Sequence, residues 1–215
     1  QVLSLLLLTT AMANAKNSEL VVSSSKIVIH RKSKELEIFH GNQLLLKCKV
    51  GIGRGGVKNK KDMSDCVTPS GKFCVELILS NDKNANSCSP AVLKRYKNEP
   101  EKLSYLTSKS GLLKLFQNMN SLDFDHDGKS DTAYGAAYFS LSADPSQKPL
   151  PVTGPKLSKF AGKDYWFSIA LHGTSNENKN IGQENSGGCV HLPAAVLERL
   201  LKEKLVKIGD AVIIE

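Results

Sequence analysis

The strongest constraint on this chain is a set of short apolar runs of period two, each closed by a turn signal, which only a sheet can bury. Lys26-Ile27-Val28-Ile29-His30 and Glu35-Leu36-Glu37-Ile38-Phe39 flank a polar turn, and Gln43 to Val50 follows Gly41-Asn42, so the first segment reads as a meander of hairpins. Phe73 to Leu79 continues it after the Pro69-Ser70-Gly71 turn. Ala136 to Leu141 and Tyr165 to Leu171 read as later strands, and Ala211-Val212-Ile213-Ile214 closes the sheet after Gly209-Asp210. Pro193 to Lys204 has helical spacing instead, with proline in the first turn, apolar Val196, Leu197, Leu200 and Leu201, and Glu198 one turn ahead of Lys202. The expected class is mainly β with α, an α+β fold built as a sandwich or mixed sheet.

Residues 82 to 164 interrupt this pattern and read as a partly helical insertion. Pro90 to Tyr96 and Lys102 to Met119 space their Leu and aromatic residues as helix faces, with Gly111 as the expected break. An insertion whose ends flank site-forming strands is placed to act as a lid or groove wall.

The chemistry concentrates near the C-terminal end. Ile169-Ala170-Leu171-His172-Gly173-Thr174 ends an apolar strand in a histidine, and Ser186-Gly187-Gly188-Cys189-Val190-His191-Leu192 sets a cysteine in a glycine turn soon after. A free thiol ionises near pH 8.5, so it needs an adjacent base to be a good nucleophile at neutrality. His172 is that base for Cys189 in this reading. Glycines let backbone N–H groups converge, which assigns the oxyanion donors to the turn around Gly188 and Cys189. The Pro193 helix is expected to aim its positive N-terminal end at the sulfur.

These residues resemble the L,D-transpeptidases of the YkuD type, whose pattern is a strand ending in His-Gly-Thr, then Ile-Gly, then Ser-x-Gly-Cys. The matching positions are His172-Gly173-Thr174, Ile181-Gly182 and Ser186-Gly187-Gly188-Cys189, with an upstream Thr68-Pro69-Ser70-Gly71 turn preceded by Val50-Gly51-Ile52-Gly53. The resemblance covers roughly residues 26 to 79 and 166 to 215. It implies catalysis by Cys189 and His172 with Gly188 and Ser186, and substrate contacts from His191, Gly173, Thr174 and Gly187. It further implies a role in cell wall biogenesis: attack on a peptidoglycan stem tetrapeptide between its L-centred third residue and the terminal D-alanine, then transfer to the side-chain amine of a second stem. A backbone carbonyl near Ser186 or Gly187 is expected to hold the second ring nitrogen of His172. One position departs from the pattern: many members carry arginine two residues after the cysteine, and here it is His191, which lacks the bidentate fork.

Other readings stay open at this level. Water as acceptor makes the chain an L,D-carboxypeptidase or a hydrolase that releases envelope proteins, and a wall-binding module without catalysis is a third class. A zinc hydrolase built on His172, Cys189 and His191 is disfavoured, because no C-x-x-C or H-E-x-x-H spacing is present.

Compartment and partners follow from the remaining features. Val2 to Ala13 is an apolar run too short to span a bilayer, and Ala13-Asn14-Ala15 ahead of charged residues reads as a signal-peptide end. Residues 1 to 15 are therefore assigned to a signal peptide remnant, 16 to 25 to a linker and 26 to 215 to the catalytic domain, located in the periplasm or cell envelope. No stable membrane span is expected in the mature form. In an oxidising compartment the five cysteines leave one unpaired, taken as Cys189, with Cys66–Cys88 and Cys48–Cys74 as the proposed bridges. Asp123-Phe124-Asp125-His126-Asp127-Gly128-Lys129-Ser130-Asp131 matches a short calcium loop, with Lys129 offering its carbonyl, and predicts a structural calcium; no cofactor is expected in catalysis. The net charge of +8 suits an anionic envelope polymer; no nucleic-acid reading motif appears, and export argues against such a partner.

Overall fold

The computed structural model describes residues 24–61, 63–124, 126–143 and 169–215. The proposed signal peptide and nearly all of the linker lie outside the described residues, as do residues 165–168 of the strand expected from Tyr165.

Three hairpin strands open the fold: β1 (Ser25–His30), β2 (Glu35–His40) and β3 (Gln43–Lys49). Their alternation sends Ile27, Ile29, Leu36 and Ile38 to one face, where Ile27 pairs with Ile38 and Ile29 with Leu36. Then come β4 (Ile52–Gly53), a 3-10 turn (Met63–Asp65), the long β5 (Gly71–Ser80) and β6 (Ser87–Cys88). Three helices follow, α1 (Pro90–Arg95), α2 (Pro100–Leu106) and α3 (Lys109–Asn120). The chain continues through β7 (Ala137–Ala143), β8 (Ile169–His172), α4 (Glu177–Asn180), β9 (Glu184–Ser186), β10 (Val190–His191), α5 (Ala194–Lys202) and β11 (Ala211–Ile214).

Among the described residues, one mixed sheet runs β10-β8-β7-β5-β11-β1-β2-β3, with β6 added beside β5, and β4 pairs separately with β9. The pairs β1–β11 and β8–β10 are parallel, and the others of the main sheet are antiparallel. The structure thus takes the mixed-sheet form of the expected α+β class, with helices on both faces. A large cluster holds Phe73, Val75, Phe139, Leu141, Leu171 and Val190 with Leu197 and Leu200 of α5. On the other face Leu79 packs with Val92, Leu106, Leu112 and Phe116 of α1–α3, and Tyr134 and Tyr138 border that cluster. A bulge between Val75 and Leu77 lets β5 serve both: Phe73, Val75 and Ile78 enter the first core, Leu77 and Leu79 face the second.

The segment set apart as an insertion is peripheral only in part. Its helices form a layer, but β7 lies at the heart of the sheet between β5 and β8. The long helix expected over Lys102–Met119 is two, and the break falls at Ser108, not Gly111. The Ser108 hydroxyl caps α3 by accepting from the Gly111 N–H at 2.9 Å. Gly111 instead permits contact, since a Cβ there would sit 2.4 Å from the Tyr105 carbonyl oxygen. The expected bridges Cys66–Cys88 and Cys48–Cys74 are not formed. Cys48 on β3 and Cys74 on β5 are separated by β2, β1 and β11, four strand spacings or about 19 Å, far beyond the reach of a bridge. Burial holds the Cys48 and Cys88 thiols protonated, each pushed up to about 11.

The Thr68-Pro69-Ser70-Gly71 turn is a structural anchor. Thr68 is fully buried, its Oγ1 accepts from the Gly53 N–H at 2.8 Å, and its carbonyl accepts from Arg31 at 3.0 Å. Thr68→Val keeps the shape and removes the acceptor, so urea unfolding is expected to show a loss of about 1–3 kcal/mol from the unpaired Gly53 amide. An unchanged midpoint would contradict the anchoring role.

Candidate active site

Strand β8 delivers His172 and β10 begins one residue after Cys189. Their parallel register pairs Val190 with Leu171 and His191 with His172. Because side chains alternate, Val190 and Leu171 enter the core, while His172, His191 and, by continuation of the pleat, Cys189 share the opposite face. Cys189 and His172 are thereby diagonal neighbours, a relation that brings Cα atoms to about 7–8 Å on a sheet face. Independent contacts agree. Burial first and the nearby Cys189 sulfur second raise the Tyr134 and Tyr138 phenols, and both rings pack on His172, at centroid distances of 5.0 and 5.8 Å.

The turn before Cys189 is fixed by Ser186, which is buried. The Gly188 N–H donates to Ser186 Oγ at 3.0 Å, and that hydroxyl donates to the Cys189 carbonyl at 2.5 Å. Gly188 has φ +127°, where side chains are strained, and a Cβ there would press on the Val67 carbonyl oxygen at 3.2 Å. The Gly188 amide expected to serve an oxyanion is therefore committed to Ser186. Gly187 is exposed with open space around it.

His172 is 5% exposed, and its Nδ1 lies 2.7 Å from the Gly173 carbonyl. A carbonyl only accepts, so Nδ1 carries the proton and Nε2 is left as the basic nitrogen. The orienting oxygen thus belongs to the next residue, not to Ser186 or Gly187 as expected; the Ala133 carbonyl also acts on the ring. Gly173 itself is a point of close approach, since a Cβ would lie 2.7 Å from Gly135 Cα. The Thr174 hydroxyl is taken by Asn180, whose side-chain amide donates to it at 2.6 Å. His191 packs edge-on to His172 at 4.9 Å, and its Nδ1 is buried without a hydrogen-bond partner among the described residues.

Burial sets the protonation state. It pushes His172 down to about 3, helped by His191 and opposed by the two carbonyls, and it also lowers His191. It raises the Cys189 thiol, against opposing effects of the Ala170 backbone and the Lys60 ammonium. The resting pair is therefore a neutral thiol beside a neutral imidazole. The expected helix dipole contributes little, because α5 starts only at Ala194 and its Ala194 N–H is taken by Glu177 Oε1 at 2.6 Å.

Lys60 was not legible from the sequence, where it is one of a run of loop lysines. Its side chain is 1% exposed, and its ammonium donates to Asp65 Oδ1 at 2.8 Å and to the Val67 carbonyl at 3.0 Å, the same oxygen that abuts Gly188. A buried cation thus stands behind the Cys189 turn. Tyr134 and Tyr138 also escaped the sequence reading, since only β7 and its preceding turn place them on the histidine.

The aspartate loop is turned inward on its own backbone. Asp123 accepts from the Asp127 and Gly128 amides, Asp127 from Lys129, and Asp131 from Phe124. Lys129 is exposed, Asp125 lies outside the described residues, and among the described residues no three candidate ligands converge.

The comparisons with known proteins follow the same lines. A family model described as the L,D-transpeptidase catalytic domain, YkuD, matches residues 24–214. No curated protein matches the chain. Among solved structures, Bd1075 of Bdellovibrio bacteriovorus is 16% identical with TM-score 0.45, over 90% of this chain and 48% of that one. The helical cell shape determining protein Pgp2 from Campylobacter jejuni is 15% identical with TM-score 0.46, over 89% and 47%. L,D-transpeptidase 1 of Mycobacterium tuberculosis is 9% identical with TM-score 0.40, over 89% and 61%. The chain spans about half the length of the first two. No helix among the described residues is long and apolar enough to cross a membrane.

Two measurements check the electrostatics. A folded His172 that resists protonation makes the unfolded chain bind the extra proton, so stability is full above about pH 6.5 and falls toward pH 3. Chemical unfolding across that range is expected to show this slope, and His172→Gln to reduce it. Alkylation of Cys189 by iodoacetamide against pH is expected to move to higher pH in a Lys60→Met, Asp65→Asn double variant; an unmoved profile would remove Lys60 from the site.

Proposed function

We propose, on the premise that this chain belongs to the YkuD family of L,D-transpeptidase catalytic domains, that Cys189 and His172 carry out acyl transfer on peptidoglycan stem peptides. The observation that carries the reading is the parallel β8–β10 register, which sets sulfur and imidazole on one face beneath the same two tyrosines.

In the proposed step the stem tetrapeptide places the carbonyl of its third residue against Cys189. The thiol proton passes to His172 Nε2 as the sulfur–carbon bond forms and negative charge moves to the carbonyl oxygen. The low basicity of the buried ring means that this transfer occurs only as the charge develops, which keeps the resting thiol unreactive. The oxyanion falls to other amides of the turn, such as those of Gly187 and Cys189, since the Gly188 amide serves Ser186. Collapse breaks the carbon–nitrogen bond, the imidazolium proton goes to the departing D-alanine amine, and a thioester remains. An amine from a second stem then attacks, gives its proton to His172 and frees the thiol, leaving an amide cross-link.

His191 takes the place that many family members give to arginine. Its buried, unpartnered Nδ1 is an unmet hydrogen-bonding group of the kind that costs about 1–3 kcal/mol, which a substrate group can relieve on binding. Every proton in this scheme moves between groups of the chain and the substrate. The basic chain, at +8, fits an anionic wall polymer, and an extracytoplasmic location is part of the same proposal.

Muropeptide mass spectrometry tests the reaction. Incubating the protein with stem tetrapeptide-bearing muropeptides is expected to yield cross-linked dimers with loss of D-alanine, Cys189→Ala to yield none, and His172→Gln to lower the rate by about a thousandfold or more. Shortened monomers without dimers would establish water as the acceptor, and full activity in Cys189→Ala would overturn the mechanism.

A further inference from the structure

His172 gains a positive charge when it takes the Cys189 proton, and no carboxylate among the described residues stands within ion-pair distance to share it. Its surroundings are the Tyr134 and Tyr138 rings, the His191 ring, the carbonyls of Gly173 and Ala133, and Cys189 on the diagonal. The two tyrosine rings lie 5.0 and 5.8 Å from the imidazole, inside the range of about 6 Å over which a ring face attracts a cation. Tyr138 is the stacked one, at 24° to the imidazole, whereas Tyr134 is tilted by 60°.

The Tyr138 ring is tied back to a charge on another strand. Tyr138 pairs with His172 across β7–β8, and Ser140, two residues along β7, shares its face. The Tyr138 phenol is hydrogen-bonded to Ser140; Ser140 Oγ donates to Glu76 Oε1 at 3.4 Å, the longest link; and Glu76 accepts two bonds from Arg95, at 3.1 and 2.7 Å. Glu76 is 7% exposed and sits on the β5 bulge, with Arg95 reaching it from the last turn of α1. The protons of this chain run one way. A carboxylate forked by a guanidinium only accepts, so the single Ser140 proton is committed to Glu76 and Ser140 accepts from the phenol. Burial raises the Tyr138 phenol, which keeps its proton in place. The O–H therefore points along the sheet toward Glu76, and the bonds in series draw on one another.

We infer that Tyr138 is a positioning residue for His172, and that the Ser140–Glu76–Arg95 chain holds its ring face against the imidazole so that the imidazolium formed during proton transfer is stabilised there. The inference deepens the acyl-transfer reading and rests on its assignment of His172 as the base for Cys189. At rest both rings are neutral and the stack is ordinary packing. As the S–H bond breaks and the proton joins His172 Nε2, the same face acquires a cation to attract, so the contact strengthens only while the sulfur is ionised. No proton moves along the Tyr138 chain; its part is orientation. A phenol without its acceptor would carry a buried, unpaired O–H and would turn off the stack to find another. Glu76 thus acts on the histidine through two hydroxyl groups, from a strand that does not pair with β8.

Alkylation of Cys189 by iodoacetamide at pH 7, followed site by site with mass spectrometry, reads the thiolate–imidazolium pair without any substrate. Tyr138→Phe, which keeps the ring and removes the O–H, is expected to slow it about 5- to 10-fold, and Tyr138→Leu, which removes the face, about 30-fold. Ser140→Ala is expected to match Tyr138→Phe, and the two together to slow the reaction no further than either alone, because they cut one chain at adjoining links. Cys66, on the loop behind the Cys189 turn, is expected to react at an unchanged rate throughout, which a general loosening of the fold would not allow. An unchanged Cys189 rate in Tyr138→Phe or in Ser140→Ala, or losses that multiply in the double variant, would overturn the inference. With a stem tetrapeptide, D-alanine release is expected to fall by the same factor in kcat with KM held within about twofold; a raised KM at unchanged kcat would also count against it. Failure of the acyl-transfer reading shows separately, as no D-alanine release by the native protein while the alkylation pattern holds.

Discussion

The site depends on one short parallel ladder, β8 against β10. Its backbone bonds are ordinary, but the side-chain period of two makes them decisive: a slip of one residue would turn His172 toward the core and bring Leu171 to the surface. The register is pinned from outside as well. Gly51 and His191 exchange backbone bonds at 2.9 Å in both directions, and the Leu192 N–H donates to the His172 carbonyl at 2.8 Å. Glycine at position 51 is what allows that approach, since a Cβ would come within 2.3 Å of the Asn180 carbonyl oxygen.

Around that ladder the protein favours neutrality. Two tyrosines, a second histidine and a buried strand strip water from His172, and burial raises the thiol as well. A permanently ionised sulfur would be quicker to attack but also quicker to oxidise. In the proposed reaction, neutral partners confine reactivity to the moment when a bound carbonyl can accept the charge, while the Lys60 ammonium behind the turn moderates how far the thiol is raised.

Much of this was legible because it is periodic or glycine-dependent. Ile27, Ile29, Leu36 and Ile38 announce their inward face by alternation, and Gly188 announces a turn that strains any other residue. The features that escaped are those decided by distant partners. Nothing local to Gly111 says that α2 will press on it, so the helix break was misplaced by three residues. The Ala137–Ala143 run carries a strand signal, yet only its pairing with both β5 and β8 makes it central. Cysteine spacing cannot report that three strands stand between Cys48 and Cys74. The orienting carbonyl of His172 comes from its own neighbour because the backbone at Gly173 is drawn against Gly135, a contact between segments far apart in sequence.

The position of β11 has a consequence for how the molecule is made. This strand of four residues, 211–214, lies between β5 and β1, parallel to one and antiparallel to the other. Before it docks, the β1–β3 meander and the β5-β7-β8-β10 part of the sheet share no ladder with each other, and each has a bare edge. Closure therefore requires contacts spanning nearly the whole described chain, the kind of topology that folds slowly and leaves strand edges open to neighbouring molecules meanwhile. A nascent chain of this protein is at its most sticky just before β11 arrives.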